Sequence, residues 1–201
     1  MKRLLLLTAL FALVSGCGDG NPSQNNAAET IRDERDGSTY RAVKMPNGTV
    51  WTAQNLNYDV DGSWAYCDDE ANAAIYGRLY TWEAAKTVCP AGWRLPERWE
   101  WAAMINSAGG KDIAGKKLKA KIGWNDGNNG TDIYGFSALP GGYRDRDGNF
   151  YGIGDFGYWW TATKYGDRTS NICGDKDFDR DIPCSFNFES SGYSVRCIKD
   201  Q

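Results

Sequence analysis

Two runs of alternating polar and apolar residues predict the first structural element of this chain. The segments "TYRAVKM" and "TVWTAQNL" are rich in β-branched and aromatic residues, and they flank the turn signal "PNG". Side chains two positions apart share one face of a strand, and Asn-Gly is a preferred hairpin turn. The pattern therefore predicts a β-hairpin over Thr39 to Leu56.

A helical period of apolar residues predicts a helix from about Glu97 to Ala108. Pro96 suits the first turn of a helix, and Gly109 with Gly110 supplies a stop. Trp99 lies about 200° around the helix axis from Trp101, so we expect it to face a second element or solvent. The predicted buried stripe consists of Trp101, Met104, Ile105 and Ala108.

The remaining elements are shorter and are separated by long loops rich in Gly, Asn and Asp. We expect a second helix from about Tyr80 to Thr87 and a short helical turn at "AGKKLK". Strands are expected around "SALPGGYR", "GNFYG", "YWWTATK" and "SGYSVRCIK". Residues 18–36 have almost nothing to bury and are interpreted as a flexible tether. The pattern as a whole predicts one α+β domain over residues 37–201.

The N-terminus has the pattern of an export signal. Lys2 and Arg3 precede an apolar run that ends in "LVSGC", and this run is about half the length of the roughly 20 residues that span a bilayer. "VSGC" resembles a bacterial lipobox, which predicts a lipoprotein signal peptide at residues 1–16 and lipidation of Cys17. The alternative is ordinary secretory cleavage near Gly16. Either interpretation places the domain outside the cytoplasm, and lipidation places it in the bacterial cell envelope, at the outer membrane or cell surface.

Composition and charge narrow the classes of partner. The chain contains no histidine, and removal of residues 1–16 leaves 21 basic and 26 acidic side chains. A nucleic-acid partner is therefore not expected, because phosphate binding needs a clustered positive field. The lack of histidine also disfavours transition-metal sites and removes the commonest general base.

Seven segments together resemble a known family. In order they are "DGSTYRAVKM", "VWTAQNL", "YGRLYTWEAA", "CPAGWRLPERWEW", "GFSALPGGYRDRDGNF", "WWTAT" and "SVRCIKD". They resemble the Fibrobacter succinogenes major paralogous domain over about residues 36–200, a domain of lipoproteins and secreted proteins with no assigned biochemical function.

The "RLP" and "EW" residues in the fourth segment are also similar to the formylglycine-generating sulfatase-modifying family. That similarity implies a C-type-lectin-like fold, with two main helices on a small irregular antiparallel sheet with long loops. The enzyme's close pair of cysteines near the C-terminus is not matched here, so its chemistry is not carried over. Arg94 of "RLP" is expected to form a charge-assisted hydrogen bond with Glu100 or a loop carbonyl.

Five cysteines remain once Cys17 is set aside for lipidation, and an exported domain should oxidise them. The lectin-like resemblance implies a disulfide between Cys89 and Cys197, and we pair the loop neighbours Cys173 and Cys184. Cys67 is left unpaired. A buried, inert thiol is the favoured interpretation of Cys67, with intermolecular pairing, reactivity or a rearranged pairing with Cys173 or Cys184 as alternatives.

Aromatic residues supply the candidate binding surface. Trp159 and Trp160 are adjacent on a predicted strand, so their rings point to opposite faces, and one of them needs an explanation other than a shared core. Exposed rings are flat apolar platforms that suit sugar faces; the alternative is that these rings fill the core. The candidate ligand-binding residues are Trp99, Tyr143, Tyr151, Tyr158, Trp159 and Trp160.

Three acidic loops, "DVDGS", "DRDGN" and "GDKDFDRD", raise the question of a metal. Oxygen ligands without histidine favour Ca²⁺, although none of the loops has the full spacing of a calcium loop. Asp-Gly turns explain the first two loops. The third supplies the candidate calcium ligands Asp175, Asp177, Asp179 and Asp181, and no other cofactor is expected.

These observations predict a non-catalytic binding domain, monomeric and lipid-anchored, whose ligand is a polysaccharide or a partner protein bound by loops between about Asn125 and Asp181. The alternative from another class is a purely structural envelope protein. An enzyme that uses paired carboxylates ranks third, because no nucleophile elbow, phosphate loop or dinucleotide motif is present.

Overall fold

Antiparallel strand pairing organises most of this chain. The computed structural model describes residues 29–167, 169–175 and 184–200. The strands are β1 (Glu29–Arg32), β2 (Thr39–Lys44), β3 (Val50–Thr52), β4 (Ser63–Trp64), β5 (Leu79–Tyr80), β6 (Trp93–Arg94), β7 (Gly141–Arg144), β8 (Phe150–Ile153), β9 (Gly157–Lys164), β10 (Thr169–Asp175), β11 (Cys184–Phe188) and β12 (Ile198–Lys199). The helices are α1 (Glu70–Tyr76), α2 (Trp82–Ala85), α3 (Arg98–Ser107) and α4 (Lys111–Leu118).

The strands form two five-stranded sheets and one two-stranded ribbon. The first sheet has the order β1-β2-β3-β12-β6, so the last strand of the chain lies between two early ones. The second sheet has the order β11-β10-β9-β7-β8, and β4 pairs with β5 in the ribbon. Helices and sheets occur together, as an α+β class requires. No helix in the described part of the chain is both long and apolar enough to cross a bilayer.

The predicted first hairpin is confirmed as β2 and β3. The turn closes through hydrogen bonds from Gly48 N to Met45 O and from Met45 N to Thr49 O, both at 2.8 Å. Gly48 has a φ of 87°, a conformation that glycine adopts without a steric penalty. One boundary was wrong: β1 pairs with β2 from Glu29 to Arg32, so the segment interpreted as a tether ends before Glu29.

Helix α3 begins and ends within one residue of the predicted bounds. Glu100 accepts hydrogen bonds from Glu97 N at 2.8 Å and from two nitrogens of Arg94 at 2.7 Å each. Burial opposes ionisation of Glu100, but the bonds from Arg94 and from Glu97 N outweigh it and lower the pKa of its carboxyl. The predicted pair of Arg94 with Glu100 is therefore confirmed, and it holds the start of α3 against β6.

Other elements differ from the prediction because pairing across the chain overrides local preference. The helix expected over Tyr80 to Thr87 shortens to α2, since Tyr80 pairs with Ser63 and the Thr81 hydroxyl caps the helix by accepting from Ala84 N at 3.2 Å. The short turn at "AGKKLK" is the full helix α4. Helix α1 and the β10–β11 hairpin were not predicted.

Strand β9 separates two hydrophobic cores. Trp159 belongs to a cluster with Trp51, Trp101 and Phe136, here called the Trp101 cluster. Trp160 belongs to a second core that also contains residues of α2 and the segment before β12. The predicted stripe of α3 is confirmed, because all four of its residues are buried in the first core.

A buried polar network around Asn55 joins the two sheets. Asn55 Oδ1 accepts from Trp159 Nε1 at 2.8 Å and from Arg196 Nε at 2.6 Å, and its amide donates to Tyr76 O at 2.7 Å. Arg196 donates further bonds to three backbone carbonyls. Burial lowers the pKa of Arg196 to about 9, which leaves it protonated at neutral pH. This network fixes β9 relative to the strands that precede it.

Candidate functional site

The structure separates the six candidate aromatic residues into two groups. Trp159 and Trp160 have no exposed area, so their assignment to a binding surface was wrong. The reason is that β9 is covered on both faces: Trp159 lies 5.7 Å from Trp101, and Trp160 lies 4.9 Å from Tyr193. Their rings do point to opposite faces, but each face has its own core.

The remaining candidates lie at the surface, and three of them come together. Tyr151 is 43% exposed, while Tyr143 and Tyr158 are half-buried. Trp99 is 67% exposed, as its position on α3 predicted, but within the described residues it makes no ring contact and stands apart from the tyrosines.

Strands β7, β8 and β9 build a continuous patch that we call the aromatic surface, consisting of Tyr143, Tyr151, Phe156 and Tyr158. Tyr143 stacks on Tyr151 with ring centroids 5.4 Å apart, and Phe156 stacks on Tyr158 at 5.7 Å. Tyr143 meets Tyr158 edge-on at 5.8 Å, which joins the two stacks. Offset-stacked and edge-on contacts at these distances are the favourable geometries for aromatic pairs.

Buried rings support the aromatic surface from below. Tyr193 is 2% exposed and lies 5.9 Å from Tyr143 and 5.8 Å from Tyr158. Trp160 then meets Tyr193 edge-on, and its Nε1 donates to Tyr80 O at 2.6 Å. A column of rings therefore runs from the core to the exposed face of Tyr151, and it holds the outer rings in one arrangement.

The "DRDGN" turn sets the register that pairs Tyr143 with Tyr151. Asp145 accepts hydrogen bonds from Asn149 N at 2.8 Å and from Asp147 N at 2.9 Å, and these bonds close the turn between β7 and β8. The same pairing places Tyr143 opposite Tyr151. This acidic loop is therefore a turn, the explanation that the Asp-Gly sequence favoured.

Asp145 and Tyr151 form a polar pair at the rim of the aromatic surface. The backbone hydrogen bond from Asn149 holds the pKa of Asp145 below its usual value, so Asp145 is ionised. Desolvation raises the pKa of Tyr151, and the neighbouring Asp145 carboxylate raises it further. Neutral phenols beside an ionised carboxylate can both donate to and accept from hydroxyl groups of a ligand.

Both expected disulfides form in the structure: Cys89–Cys197, which the resemblance implied, and Cys173–Cys184, which we paired as loop neighbours. The first closes a span of 108 residues between the end of α2 and the start of β12. Cys67 is exposed, so the expectation of a buried thiol was wrong; it lies in the turn before α1, where its side chain reaches solvent. Cys17 lies outside the described residues.

The calcium prediction falls largely outside the described residues. Asp175 ends β10, and the other three candidates, Asp177, Asp179 and Asp181, lie in the undescribed stretch of residues 176–183. Among the described residues, no three acidic or cysteine side chains come close enough to hold a metal ion. Calcium binding by the third acidic loop therefore stays a prediction.

A cavity lies between the first sheet and α1. This cavity has a volume of about 310 Å³, and its lining includes amides, hydroxyls, Arg41 and apolar side chains, with Asn55 among the amides. Asn55 already uses its oxygen and amide within the polar network described above. Asn55 therefore has little unused hydrogen-bonding capacity to offer a ligand in this cavity.

Sequence reasoning missed Phe156 and Tyr193 as parts of this site. Phe156 follows the turn after β8, and Tyr193 comes from a distant segment that forms β-bridges to both β7 and β9. The pairing of Tyr143 with Tyr151 could have been found, because the predicted "DRDGN" turn places them opposite each other once the hairpin register is drawn.

Among the comparisons with known proteins, the comparison with family models is the one that gives a match. The model of the Fibrobacter succinogenes major domain family matches residues 24–199. No curated protein and no solved structure matches the chain.

Proposed function

The chain belongs to the Fibrobacter succinogenes major domain family, and from this premise we propose that it is a non-catalytic binding domain whose ligand is a polysaccharide. The aromatic surface binds the ligand. The single observation that carries this proposal is the stacked pair of Tyr143 and Tyr151, of which Tyr151 is exposed and Tyr143 rests on the buried ring of Tyr193.

The chemistry of the aromatic surface suits a sugar chain. The faces of pyranose rings carry C–H groups, which pack on flat aromatic rings, while their edges carry hydroxyl groups. Tyr151 and Tyr158 supply such rings together with phenol groups, and Asp145 with Asn149 supplies further polar groups at the rim. A surface that is apolar on its face and polar at its edge matches a ligand built in the same way.

Support from the core reduces the cost of binding. A side chain that becomes ordered on binding costs about 0.5 to 1.5 kcal/mol. Tyr143 and Tyr158 are already held by Tyr193, and Tyr151 is held by its stack with Tyr143 and its contact with Asp145. Because these rings are already ordered, little of the binding free energy of a ligand is lost in immobilising them.

A second candidate function, binding of a partner protein, is favoured by a different patch. Tyr165 and Phe186 stack at 4.4 Å and are 63% and 55% exposed, and Phe188 on the same strand is 43% exposed. This strand, β11, is the edge of the second sheet. Exposed apolar rings on an unpaired edge are a common feature of protein interfaces.

We further propose a C-type-lectin-like fold and an exported, lipid-anchored protein. The disulfide from the end of α2 to the start of β12 supports the fold, because the lectin-like resemblance implied that pairing. The leader with its "VSGC" ending supports lipidation of Cys17 and a location at the outer membrane or cell surface. The start of β1 shortens the proposed tether to residues 18–28.

The test is retention of residues 18–201, produced without the leader and Cys17, on a panel of soluble and insoluble polysaccharides. Each measurement is made with calcium and with a chelator. We expect at least one polysaccharide to retain the protein, and we expect Tyr151→Ala to reduce retention. Chelator sensitivity would support the calcium prediction for the third acidic loop.

Tyr165→Ala is the matched control, because it removes an exposed tyrosine from the other patch, 63% exposed against 43% for Tyr151. Retention lost equally in both variants, or lost in neither, would contradict the assignment of the site. No retention on any polysaccharide would favour the partner-protein function or a structural role in the envelope.

A further inference from the structure

The guanidinium of Arg144 is held in place by aromatic rings, and no acidic side chain within residues 29–167, 169–175 and 184–200 pairs with it. Its Cζ lies 4.1 Å from the centre of the Trp64 ring and 5.8 Å from that of Phe150. Its Nε is buried and has no hydrogen-bond partner among the residues that the structure describes. Arg144 is half-buried, and it forms no ion pair with any residue in the described part of the chain.

The other arginines in comparable surroundings are all paired. Four described arginines are buried or half-buried, and three of them bind acceptors through their guanidinium groups. Arg78 pairs with Glu70 at 2.8 Å even though its Nε is unpaired, Arg94 pairs with Glu100, and Arg196 donates to three carbonyls and Asn55. Arg144 is the exception among them. A buried donor without an acceptor is unfavourable, so hydrogen bonding among the described residues does not account for the position of Arg144.

Two glycines make room for this side chain. A Cβ atom at position 148 would lie 3.0 Å from Arg144 Nη2, and one at position 192 would lie 3.1 Å from Arg144 Cβ and 3.4 Å from the Trp64 ring. Larger residues at either position would push the guanidinium or the ring away. The chain therefore forms a cradle for Arg144 from Trp64, Phe150, Gly148 and Gly192.

The cradle lies on the same hairpin as the aromatic surface. Arg144 and Phe150 are directly opposite each other on β7 and β8, one position along from the pair of Tyr143 and Tyr151, so the two pairs face opposite sides. Strand β8 is the edge of its sheet, with Tyr151 exposed on one face and Phe150 half-buried on the other. A polymer must cross this edge to reach both pairs, and the inference below requires that path.

We propose that Arg144 is an oxyanion-binding subsite, and that the ligand of the aromatic surface is an acidic polysaccharide that carries carboxylate groups. This inference rests on the proposed function. A guanidinium presents parallel N–H groups that match the two oxygens of a carboxylate, and stacking on Trp64 orients its plane. The net charge of the protein is negative, and the Asp145 carboxylate lies at the rim of the aromatic surface. An acidic polymer must therefore direct a carboxylate to Arg144 and keep its other carboxylates away from Asp145, so recognition rests on this one positioned cation and not on a general positive field.

Polygalacturonate and its fully methyl-esterified form provide a matched pair of ligands, since esterification removes the charge and keeps the backbone. We expect Arg144→Gln to weaken binding of polygalacturonate roughly 10- to 100-fold, the loss of a hydrogen bond to a charged group. Binding of the methyl ester should not change. Arg144→Lys should restore only part of the affinity, because lysine keeps the charge but not the paired N–H groups.

Tyr151→Ala separates the two proposals, because it should weaken binding of both polymers. If Tyr151→Ala weakens both and Arg144→Gln weakens neither, the oxyanion subsite is contradicted while the aromatic surface stands. If Arg144→Gln weakens only the acidic polymer and Tyr151→Ala has no effect, the subsite stands and the aromatic surface fails. Equal loss of both polymers in Arg144→Gln would also overturn the subsite. Thermal unfolding of each variant confirms that it is folded.

A direct readout does not depend on the polymer. Titration with millimolar sodium galacturonate, followed by the NMR signal of the Arg144 Nε–H, should shift that signal in the wild type. Sodium sulfate in a parallel titration distinguishes carboxylate from sulfate ester as the natural group: a stronger response to sulfate would assign the ligand to sulfated polymers. No shift of the Arg144 signal with either anion, with or without polymer binding, overturns the proposal.

Discussion

The Trp101 cluster and the aromatic surface have similar distances between ring centroids, but they differ in the solvent exposure of their rings. In the Trp101 cluster, centroids lie 4.9 to 6.1 Å apart and all four rings have no exposed area. In the aromatic surface, they lie 5.4 to 6.3 Å apart and the rings are half-buried or exposed. The first cluster consists of Trp and Phe, whereas three of the four rings in the second are Tyr.

This difference shows that ring spacing alone does not distinguish a core from a binding surface. A fully buried large apolar side chain contributes about 1.5 to 3 kcal/mol to folding, and an exposed one contributes little. The rings of the aromatic surface therefore add less to stability than the same rings would add in a core. Each of the following substitutions tests whether the two groups separate in this way.

The largest effect is expected when the Cys89–Cys197 disulfide is removed, because it anchors the segment that carries Tyr193 beneath the aromatic surface. Closing a span of 108 residues contributes about 4 to 5 kcal/mol in the chain-entropy model. The double variant Cys89→Ser, Cys197→Ser should lose about that much free energy of unfolding in urea. The matched variant at Cys173 and Cys184, with a span of 11 residues, should lose about 3 kcal/mol. The reverse order would show that another interaction holds this segment.

Trp101→Ala should cost about 3 to 5 kcal/mol, since it removes the ring that contacts all other members of the Trp101 cluster. Trp99→Ala, two positions away on the same helix, should change the free energy of unfolding by less than about 0.5 kcal/mol, because its ring is exposed. Chemical denaturation measures both. Equal losses in the two variants would contradict the assignment of α3 as a scaffold with one buried stripe.

Within the aromatic surface, truncating the more deeply buried ring should cost more free energy of unfolding than truncating the outer ring. Tyr143→Ala removes stacking on both Tyr151 and Tyr193 and should cost about 1 to 2 kcal/mol. Tyr151→Ala removes only the outer stack and should cost less than about 1 kcal/mol. Thermal unfolding compares the two variants. A larger cost for Tyr151 would mean that the exposed ring is structural, and it would weaken the proposed function.

Acid should produce the smallest effect. The hydrogen bond from Arg35 lowers the pKa of Asp33, and the pKa of Glu100 is also lowered. Groups whose pKa is depressed on folding stabilise the protein above their unfolded values, near pH 4, and this contribution disappears as the pH falls through the folded values. Stability measured from pH 5 to about pH 2 should therefore decrease, and Glu100→Gln should decrease less steeply than the wild type. An unchanged slope would contradict the role of the Arg94–Glu100 pair.

Local signals made part of the fold predictable. The first hairpin and α3 follow from short-range patterns, because a turn signal and a helical stripe each lie within a few residues. Helix α1 could have been found as well: Asp69 precedes it, and its side chain accepts from Ala71 N at 2.9 Å, a capping interaction that the sequence allows. The β10–β11 hairpin was hidden because its acidic connection was interpreted as a ligand-binding loop.

Burial of Trp159 and Trp160 could not be predicted in the same way. Each ring is covered by residues that are distant in sequence, Trp101 on one face and Tyr193 on the other. Alternation along β9 predicts that the two rings diverge, but not that both faces are covered. The arrangement of the aromatic surface could not be predicted from local sequence either, because Tyr193 contacts it from a segment about 50 residues after Tyr143.

The most direct test of the central claim is isothermal titration of the polysaccharide that the panel identifies against the wild type, the double variant Tyr143→Phe, Tyr151→Ala, and Tyr165→Ala. Tyr143→Phe preserves the ring that stacks on Tyr193, so the double variant should stay folded while it loses the outer ring and one phenol. We expect the double variant to lose affinity by at least about tenfold, the effect of a lost aromatic contact, and Tyr165→Ala to bind like the wild type. Wild-type affinity in the double variant would show that the aromatic surface is not the binding site.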